Sequence, residues 1–326
     1  MKKIEYGINN KMEIIIDQRI ELITIIQTLC GYWDNLSIRF YEKALFQCKY
    51  KDNIKEYFEK YKKNETIDLF NKLCNEETDI SAFLTLVLNY SAPPLLNKNI
   101  NCKENEYECF IDSIKKYYTE TKFDCFFENN QNEYNKIIYD FGYELSNEID
   151  IIFDILDINS INYKVIISPL VLGNFGINTF TENYVIISPI GYKNDKYIFN
   201  SKESIKNIIW HEIAHTVIND LTKKYYNQVK FENVKIPEIY VNNLYNNWET
   251  IVNEYIVRAI ANIMEKNNDC AKGLLEWEIK NGFNEIENVR NFILENCIKN
   301  NKFNKKDKYE KLIEFVIEKI LKSDCI

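Results

Sequence analysis

Apolar residues recur at three- and four-residue spacing along most of this 326-residue chain, and Gly (8) and Pro (5) are scarce. Apolar stripes with few breakers predict a mainly helical fold with few tight turns. In the N-terminal half, the pattern predicts a helix that begins at Gln18 and ends at Gly31, followed by further helices up to residue 149. In the C-terminal half, it predicts helices over residues 201–221, 246–266, 270–281, 285–298 and 305–322.

Short runs rich in β-branched residues interrupt the helical pattern and predict a small sheet. These runs lie at residues 14–16, 163–168, 184–188 and 197–199. The scarce Gly and Pro residues concentrate around the last three runs, where a sheet needs its turns. We therefore expect a predominantly helical α+β fold, with the small sheet directly before the helix at 201–221.

The length of the chain fits either one large domain or two modest ones. Residues 1–158 contain no histidine and no chemical motif, so we expect a helical region that forms one wall of a cleft. Residues 159–326 contain the sheet and the candidate chemistry. They form either a second domain or part of one continuous domain.

The helix predicted at 201–221 carries His211, Glu212 and His215 in the pattern H-E-x-x-H, and the chain has no other histidines. Positions i and i+4 of a helix lie one turn apart on the same face. Two imidazoles placed in this way can bind one metal ion, and Glu212 can then reach a water on that metal as a general base. Ser201 is the expected N-cap of this helix.

Catalytic zinc usually has three protein ligands and one open position, so a carboxylate must supply the third ligand here. The helix at 246–266 is apolar around most of its circumference, which indicates burial on most sides. Its narrow polar stripe holds Thr250, Glu254 and Arg258. We favour Glu254 as the zinc ligand over Glu249. A surface ion pair between Glu254 and Arg258 is the alternative role for Glu254.

The formal net charge of −8, without a basic stripe, argues against nucleic acid as the main partner. Nine widely spaced cysteines without a C-x-x-C pair argue against a disulfide framework. The N-terminus has no apolar core of a signal peptide, and we see no membrane span. We expect a cytoplasmic protein, or a secreted one if a leader has been removed. The oligomeric state stays open.

Four segments of the chain carry a family resemblance: IDQRIELITIIQTL, LGNFG, HEIAHTVIN and NEYIVRAI. HEIAH followed by NEYIVRA resembles the gluzincin arrangement of zinc metallopeptidases, including thermolysin-like enzymes. The four segments together resemble an uncharacterised bacterial family of predicted zinc peptidases. This resemblance implies a zincin-like active-site helix and Zn²⁺ bound by His211, His215 and Glu254. The chain departs from the thermolysin pattern in its longer gap after His215 and in Arg258, where an Asp that orients a zinc-bound His is expected.

The motif and the resemblance together imply hydrolysis of peptide bonds, with Glu212 as the general base. Tyr240, Tyr255 and Arg258 are candidates for stabilising the oxyanion. A strand and loop before the metal helix can present an edge to an extended peptide, so we expect a peptide or protein substrate. The residues expected to border its groove are Gly173, Asn174, Phe175 and Gly176.

Two other classes of function remain open. One is a zinc-dependent hydrolase of a non-peptide substrate. The other is a helical interaction protein with a structural or degenerate metal site. Structural zinc sites are closed by four protein ligands, and no cysteine lies near the motif in the sequence to act as the fourth, which disfavours this second class.

Overall fold

The computed structural model describes residues 12–36, 46–74, 81–99, 107–142, 146, 148–159, 163–225, 235–242, 245, 247–299, 302–303 and 308–323. Residues 1–11, on which the expectation of no signal peptide rests, lie outside this set. Helices dominate the described residues and a small mixed sheet accompanies them, so the predicted α+β class is confirmed. None of the described helices combines the length and the hydropathy needed to cross a bilayer.

The chain packs as two compact units, and each of them is built from two separate stretches of sequence. The first unit contains the described residues of 1–145 and 161–205, and the second contains those of 146–160 and 206–326. The sequence placed a boundary near residue 158 and put the small sheet with the C-terminal region. Packing groups that sheet with the N-terminal helices instead, because its first strand comes from the N-terminal part of the chain.

The first unit surrounds a helix that is almost wholly buried, α1. Asp17 caps this helix by accepting a hydrogen bond from the backbone of Arg19 at 2.8 Å. The helices of this unit are α1 (Gln18–Leu29), α2 (Tyr32–Leu36), α3 (Lys49–Phe58), α4 (Glu65–Leu73), α5 (Ala82–Leu88), α6 (Glu108–Thr121), α7 (Phe123–Asn129) and α8 (Gln131–Gly142). As the sequence predicts, α1 begins at Gln18 and the chain reaches a left-handed Gly31 just after it.

A four-stranded mixed sheet completes the first unit, in the order β1-β2-β4-β3. Its strands are β1 (Glu13–Ile15), β2 (Tyr163–Ile167), β3 (Phe175–Asn178) and β4 (Asn183–Ile187), and a separate hairpin is formed by β5 (Gly191–Lys193) and β6 (Lys196–Ile198). β1, β2 and β4 are parallel, whereas β3 runs antiparallel to β4 at one edge. Ile14, Val165 and Val185 have no exposed surface, as expected for parallel strands that are covered on both faces.

A carboxyl group lies in the core of the first unit, at Glu21 of α1. Its side chain has no exposed surface. The hydroxyl of Tyr50 donates a short hydrogen bond to Glu21 Oε2, and the Ser168 hydroxyl lies 3.3 Å from Oε1. The Tyr50 hydroxyl is also 2.9 Å from the hydroxyl of Tyr134. Burial raises the pKa of Glu21 to about 7, although the bonds from Tyr50 and Ser168 act in the opposite direction.

The second unit is built around two long helices. One contains the H-E-x-x-H motif, and the other contains the polar stripe identified in the sequence. Its helices are α9 (Ile151–Leu156), α10 (Lys202–Lys223, from Lys206 onward), α11 (Glu238–Asn242), α12 (Trp248–Met264), α13 (Asn268–Lys280), α14 (Ile286–Phe292) and α15 (Tyr309–Ser323). A π-helical turn, Ile293–Cys297, extends α14, and a short hairpin pairs β7 (Ile298–Lys299) with β8 (Lys302–Phe303).

The short stretch around α9 holds α10 in place within the second unit. The indole Nε1 of Trp210 donates to the carbonyl oxygen of Ile149 at 3.1 Å. Lys206 is 5% exposed and pairs with Glu148 at 3.2 Å and with Glu265 at 3.0 Å. A buried cation needs such partners because an unpaired one would be costly. These contacts fix the helix that carries the two histidines.

Candidate metal centre

The helix α10 starts at the cap that the sequence predicts. The backbone oxygen of Ser201 accepts a hydrogen bond from the amide of Ile205 at 2.8 Å, and its hydroxyl lies 3.4 Å from the amide of Ser204. The first bond begins the helical ladder, and the second gives a partner to a first-turn amide that has none inside the helix. His211 and His215 then lie one turn apart on one face, and both are partly buried.

The third candidate ligand lies on α12, which is buried over nearly its whole length. The side chain of Asn247 caps this helix by accepting from the amide of Thr250 at 2.8 Å. Glu254 is only 6% exposed, so its carboxylate needs compensating partners. Of the polar stripe predicted on this helix, Glu254 is buried, whereas Thr250 and Arg258 are partly buried.

The structure brings His211, His215 and Glu254 together. The two Nε2 atoms lie 3.0 Å apart, Glu254 Oε1 lies 3.2 Å from His215 Nε2, and Oε2 lies 3.7 Å from His211 Nε2. Neighbouring ligand atoms of a tetrahedral zinc site, with bonds of about 2.1 Å, lie about 3.4 Å apart. Within the described residues, this is the only group of three or more His, Cys, Asp or Glu side chains placed to hold a metal ion. Both its spacing and its donor atoms fit zinc.

The protonation of these side chains follows from their burial and mutual attraction. Burial lowers the pKa of His211 well below its ordinary value, and this outweighs the attraction of Glu254. Burial also acts on His215, but the charge and hydrogen bond of Glu254 raise its pKa to about 8. Burial disfavours the charged form of Glu254, yet Arg258 and the two imidazoles hold its pKa well below its ordinary value. Glu254 is therefore ionised, as a metal ligand must be, and a metal ion would displace the proton from His215.

Asn219 orients the imidazole of His215. Its Oδ1 lies 3.1 Å from His215 Nδ1. Since an amide oxygen only accepts hydrogen bonds, Nδ1 carries a proton and donates it. His215 Nε2 is thereby directed toward Glu254 and His211. Metal-binding histidines usually have such a partner on the other ring nitrogen.

Arg258 links Glu254 to a network of largely buried hydrogen bonds. Its Nε donates to Glu254 Oε2 at 2.8 Å, its Nη1 to Glu278 Oε2 at 2.5 Å, and its Nη2 to the Tyr245 hydroxyl at 2.9 Å. The guanidinium carbon also lies 4.5 Å from the centre of the Phe283 ring. The ion pair between Glu254 and Arg258 that the sequence left open is thus present, but it is buried, and Glu254 faces the histidines at the same time.

The two predicted tyrosines Tyr240 and Tyr255 lie in the core of the second unit, 2% and 0% exposed. Their hydroxyls are 2.9 Å apart, and that of Tyr240 donates to the carbonyl oxygen of Gly282 at 2.9 Å. Tyr245, which the sequence reasoning missed, accepts a hydrogen bond at 2.9 Å from Arg258, the ion-pair partner of Glu254. Burial and then the charge of Glu254 raise the pKa of Tyr245, so its hydroxyl keeps its proton.

Glu212 and Glu249 occupy different surroundings. Glu212 is 9% exposed and directly follows His211 on α10, and its charge helps to raise the pKa of His215. Glu249 lies in the first turn of α12 and is partly buried. It does not belong to the metal-binding group. Its charge acts instead on Tyr309, whose pKa is raised mainly by burial.

The predicted substrate-binding residues 173–176 lie in the first unit: Gly173 and Asn174 lead into the edge strand β3, and Phe175 and Gly176 are its first two residues. Gly173 has a φ of 101°, a conformation that favours glycine. Its carbonyl oxygen accepts from the Ser188 hydroxyl at 2.9 Å, and Asn174 Oδ1 accepts from the Ser188 amide at 3.2 Å. These bonds hold the start of β3 against the end of β4. A role of Gly173, Asn174, Phe175 and Gly176 in substrate binding stays a prediction.

Comparison with known proteins identifies the family of the chain. A search of curated proteins and a search of solved structures each gave no match. One family model, described as a domain of unknown function (DUF4932), matches residues 12–321. The match includes all of the residues of the metal centre and nearly the whole length of the chain. The chain therefore belongs to the DUF4932 family of domains of unknown function.

Proposed function

We propose that this protein is a zinc metallopeptidase that hydrolyses peptide bonds. The observation that carries the proposal is that ligand atoms of His211, His215 and Glu254 lie within 4.8 Å of one another, with Glu212 directly after His211 in the sequence. The donor set is two imidazoles and a carboxylate, as in catalytic zinc sites of the two-His, one-Glu type. The family resemblance of HEIAH and NEYIVRA supports a peptide as the substrate.

A catalytic zinc ion fits the centre better than a structural one. A structural zinc site is closed by four protein ligands, and the described residues near this centre offer three. When bound, zinc supplies a Lewis acid that polarises a carbonyl group and acidifies water. His211, His215 and Glu254 would hold the ion, and a centre with three protein ligands would keep one position for that chemistry.

Glu212 is the proposed general base. It directly follows His211 on α10 and is largely buried, and we assign it the proton of the attacking water. The same carboxylic acid then delivers this proton to the nitrogen of the departing amine. Proton transfer of this kind contributes about 10²–10⁴-fold to a rate.

Tyr245 is the proposed donor to the carbonyl oxygen as that oxygen gains negative charge. Its hydroxyl oxygen accepts a hydrogen bond from Arg258, which leaves the hydroxyl proton directed elsewhere. The raised pKa keeps that proton in place at neutral pH. Tyr240 and Tyr255 bond to each other in the core, and each nitrogen of Arg258 already donates to a protein acceptor.

Metal analysis of the purified protein tests the zinc site. We expect about one zinc ion per chain in the wild type and little zinc in a His211→Ala, His215→Ala double variant. Equal amounts of zinc in the two proteins would refute the proposed site. Circular dichroism of both proteins establishes that the double variant is folded.

Activity measurements test the reaction and its base. The zinc-loaded wild type is assayed on casein, on mixed short peptides and on ester substrates, beside a Glu212→Gln variant. We expect cleavage of peptide bonds by the wild type only, with zinc retained by the variant. Hydrolysis of esters without any peptide cleavage would favour a non-peptide hydrolase. A fully active Glu212→Gln protein would remove Glu212 from the mechanism.

A further inference from the structure

The guanidinium of Arg258 contacts three acceptors that come from three different segments. Glu254 lies one turn before it on α12, Glu278 lies on α13, and Tyr245 lies before α12. The Arg258 side chain is 11% exposed, and so is that of Glu278. A planar group with this many fixed partners has a single orientation, so the position of its Nε atom is determined.

The two oxygens of Glu254 have different neighbours. Oε2 accepts the hydrogen bond from Arg258 Nε at 2.8 Å and lies 3.7 Å from His211 Nε2, whereas Oε1 lies nearer a histidine, 3.2 Å from His215 Nε2. A carboxylate can bind a metal ion through one oxygen or through both. Binding through both would occupy the coordination position that a catalytic centre leaves for water.

We infer that Arg258 is a positioning residue that holds Glu254 Oε2, so that Glu254 offers a metal ion only Oε1 and one coordination position stays open. This inference rests on the zinc role proposed above. It assigns to Arg258 a function in the geometry of the metal centre, beyond its contribution to packing.

Glu278 gives this arrangement its stability. A divalent cation on Glu254 would repel the neighbouring guanidinium, since both are positively charged. The carboxylate of Glu278, 2.5 Å from Arg258 Nη1, offsets that repulsion from the opposite side. Burial opposes ionisation of Glu278 and raises its pKa, while Arg258 favours the charged form. The guanidinium is thus held between two carboxylates, only one of which faces the histidines.

Cobalt substitution tests the inference, because the visible absorption of Co²⁺ is several-fold stronger with four ligands than with five or six. The full-length protein is freed of metal, loaded with one equivalent of Co²⁺ and measured as wild type, Arg258→Met and Arg258→Lys. We expect an intense four-ligand spectrum for the wild type. Arg258→Met should lower the intensity severalfold because Oε2 becomes free to bind. Arg258→Lys, which retains a charged donor, should recover part of the intensity.

Two further variants separate positioning from folding. Arg258→Met leaves Glu278 buried without its cation, so an Arg258→Met, Glu278→Gln double variant removes that carboxylate as well. Arg290→Gln is the matched control, because Arg290 makes a similar 2.7 Å bond from its Nε to Asn262 on the same helix α12. The control should keep the wild-type spectrum.

The outcomes distinguish this inference from the proposed function. Equal cobalt uptake by the wild type and by the His211→Ala, His215→Ala variant would refute the metal site, and both proposals with it. Cobalt uptake that depends on the histidines, with the same spectrum in wild type, Arg258→Met and the double variant, would overturn the positioning role alone. A weak spectrum in the wild type, or failure of both Arg258→Met proteins to fold, would also overturn it.

Discussion

The buried carboxyl group of Glu21 should make the stability of the protein depend on pH in a defined window. The test is a Glu21→Gln substitution, which keeps the size and polarity of the side chain but removes its titration. Glu21 has no exposed surface and has Tyr50 and Ser168 as its hydrogen-bonding neighbours. Burial raises its pKa from an ordinary value of 4.5 to about 7.

The direction of the effect follows from the number of protons that each state binds. Between pH 4.5 and about 7, Glu21 keeps its proton in the folded protein and loses it in the unfolded chain. The free energy of unfolding must therefore fall as the pH rises through this window. A difference of about 2.5 between the two pKa values corresponds to about 3 kcal/mol of lost stability above pH 7. That loss is a large fraction of the stability of a typical domain, about 5–15 kcal/mol.

Urea unfolding of the wild type and of Glu21→Gln, measured at several pH values from 4.5 to 8, gives this contribution as a difference. Other titrating groups are common to both proteins and cancel to a first approximation. We expect the wild type to lose about 3 kcal/mol relative to the variant across the window. Glu128→Gln, a substitution at an exposed position of α7, is the control and should behave like the wild type. A difference between wild type and Glu21→Gln that stays constant with pH would refute the reasoning.

The remaining predictions concern the metal centre. Glu254→Ala should lose zinc while Glu249→Ala keeps it, as metal analysis after gel filtration would show, and the opposite pattern would move the ligand to Glu249. Asn219→Ala should lower the affinity for zinc by ~10–100-fold because His215 loses the partner that orients it, which chelator competition measures, and an unchanged affinity would contradict this role. Tyr245→Phe should lower kcat for peptide cleavage by ~10²–10³-fold with zinc content unchanged, and an unchanged kcat would exclude the hydroxyl from oxyanion stabilisation.

The helices and buried strands were predictable because their caps and their spacing of apolar residues agree with the burial that each element has in the fold. α1 begins at Gln18, α4 is capped by Asn64 at 2.9 Å from the amide of Thr66, and α12 coincides with the most regular apolar stripe. The partners of the strands were not predictable, because β1 pairs with a strand about 150 residues later. β3 was missed since its four residues, with Gly176 among them, form too short and too weak a strand pattern.

The grouping of the three candidate metal ligands was predictable to the extent that helix geometry determines it. His211 and His215 have the spacing of one turn, and the narrow polar stripe of a buried helix singled out Glu254. Asn219 was missed, although its position four residues after His215 is the spacing at which helical side chains meet. Tyr245 lies outside the helices, where no periodic pattern gives the direction of a side chain.

The interleaving of the two units determines how the protein can be truncated. Along the sequence, the chain changes from one unit to the other after residues 145, 160 and 205, so no single cut separates the units. A fragment that starts at residue 206 retains the histidines and Glu254 but loses Ile149, whose carbonyl group holds Trp210, and Glu148, the partner of Lys206. During synthesis, the sheet likewise gains its second strand only after about 150 further residues have followed β1. The N-terminal strand β1 therefore waits for its partner β2 until the second half of the chain emerges. Non-local pairing of this kind slows folding.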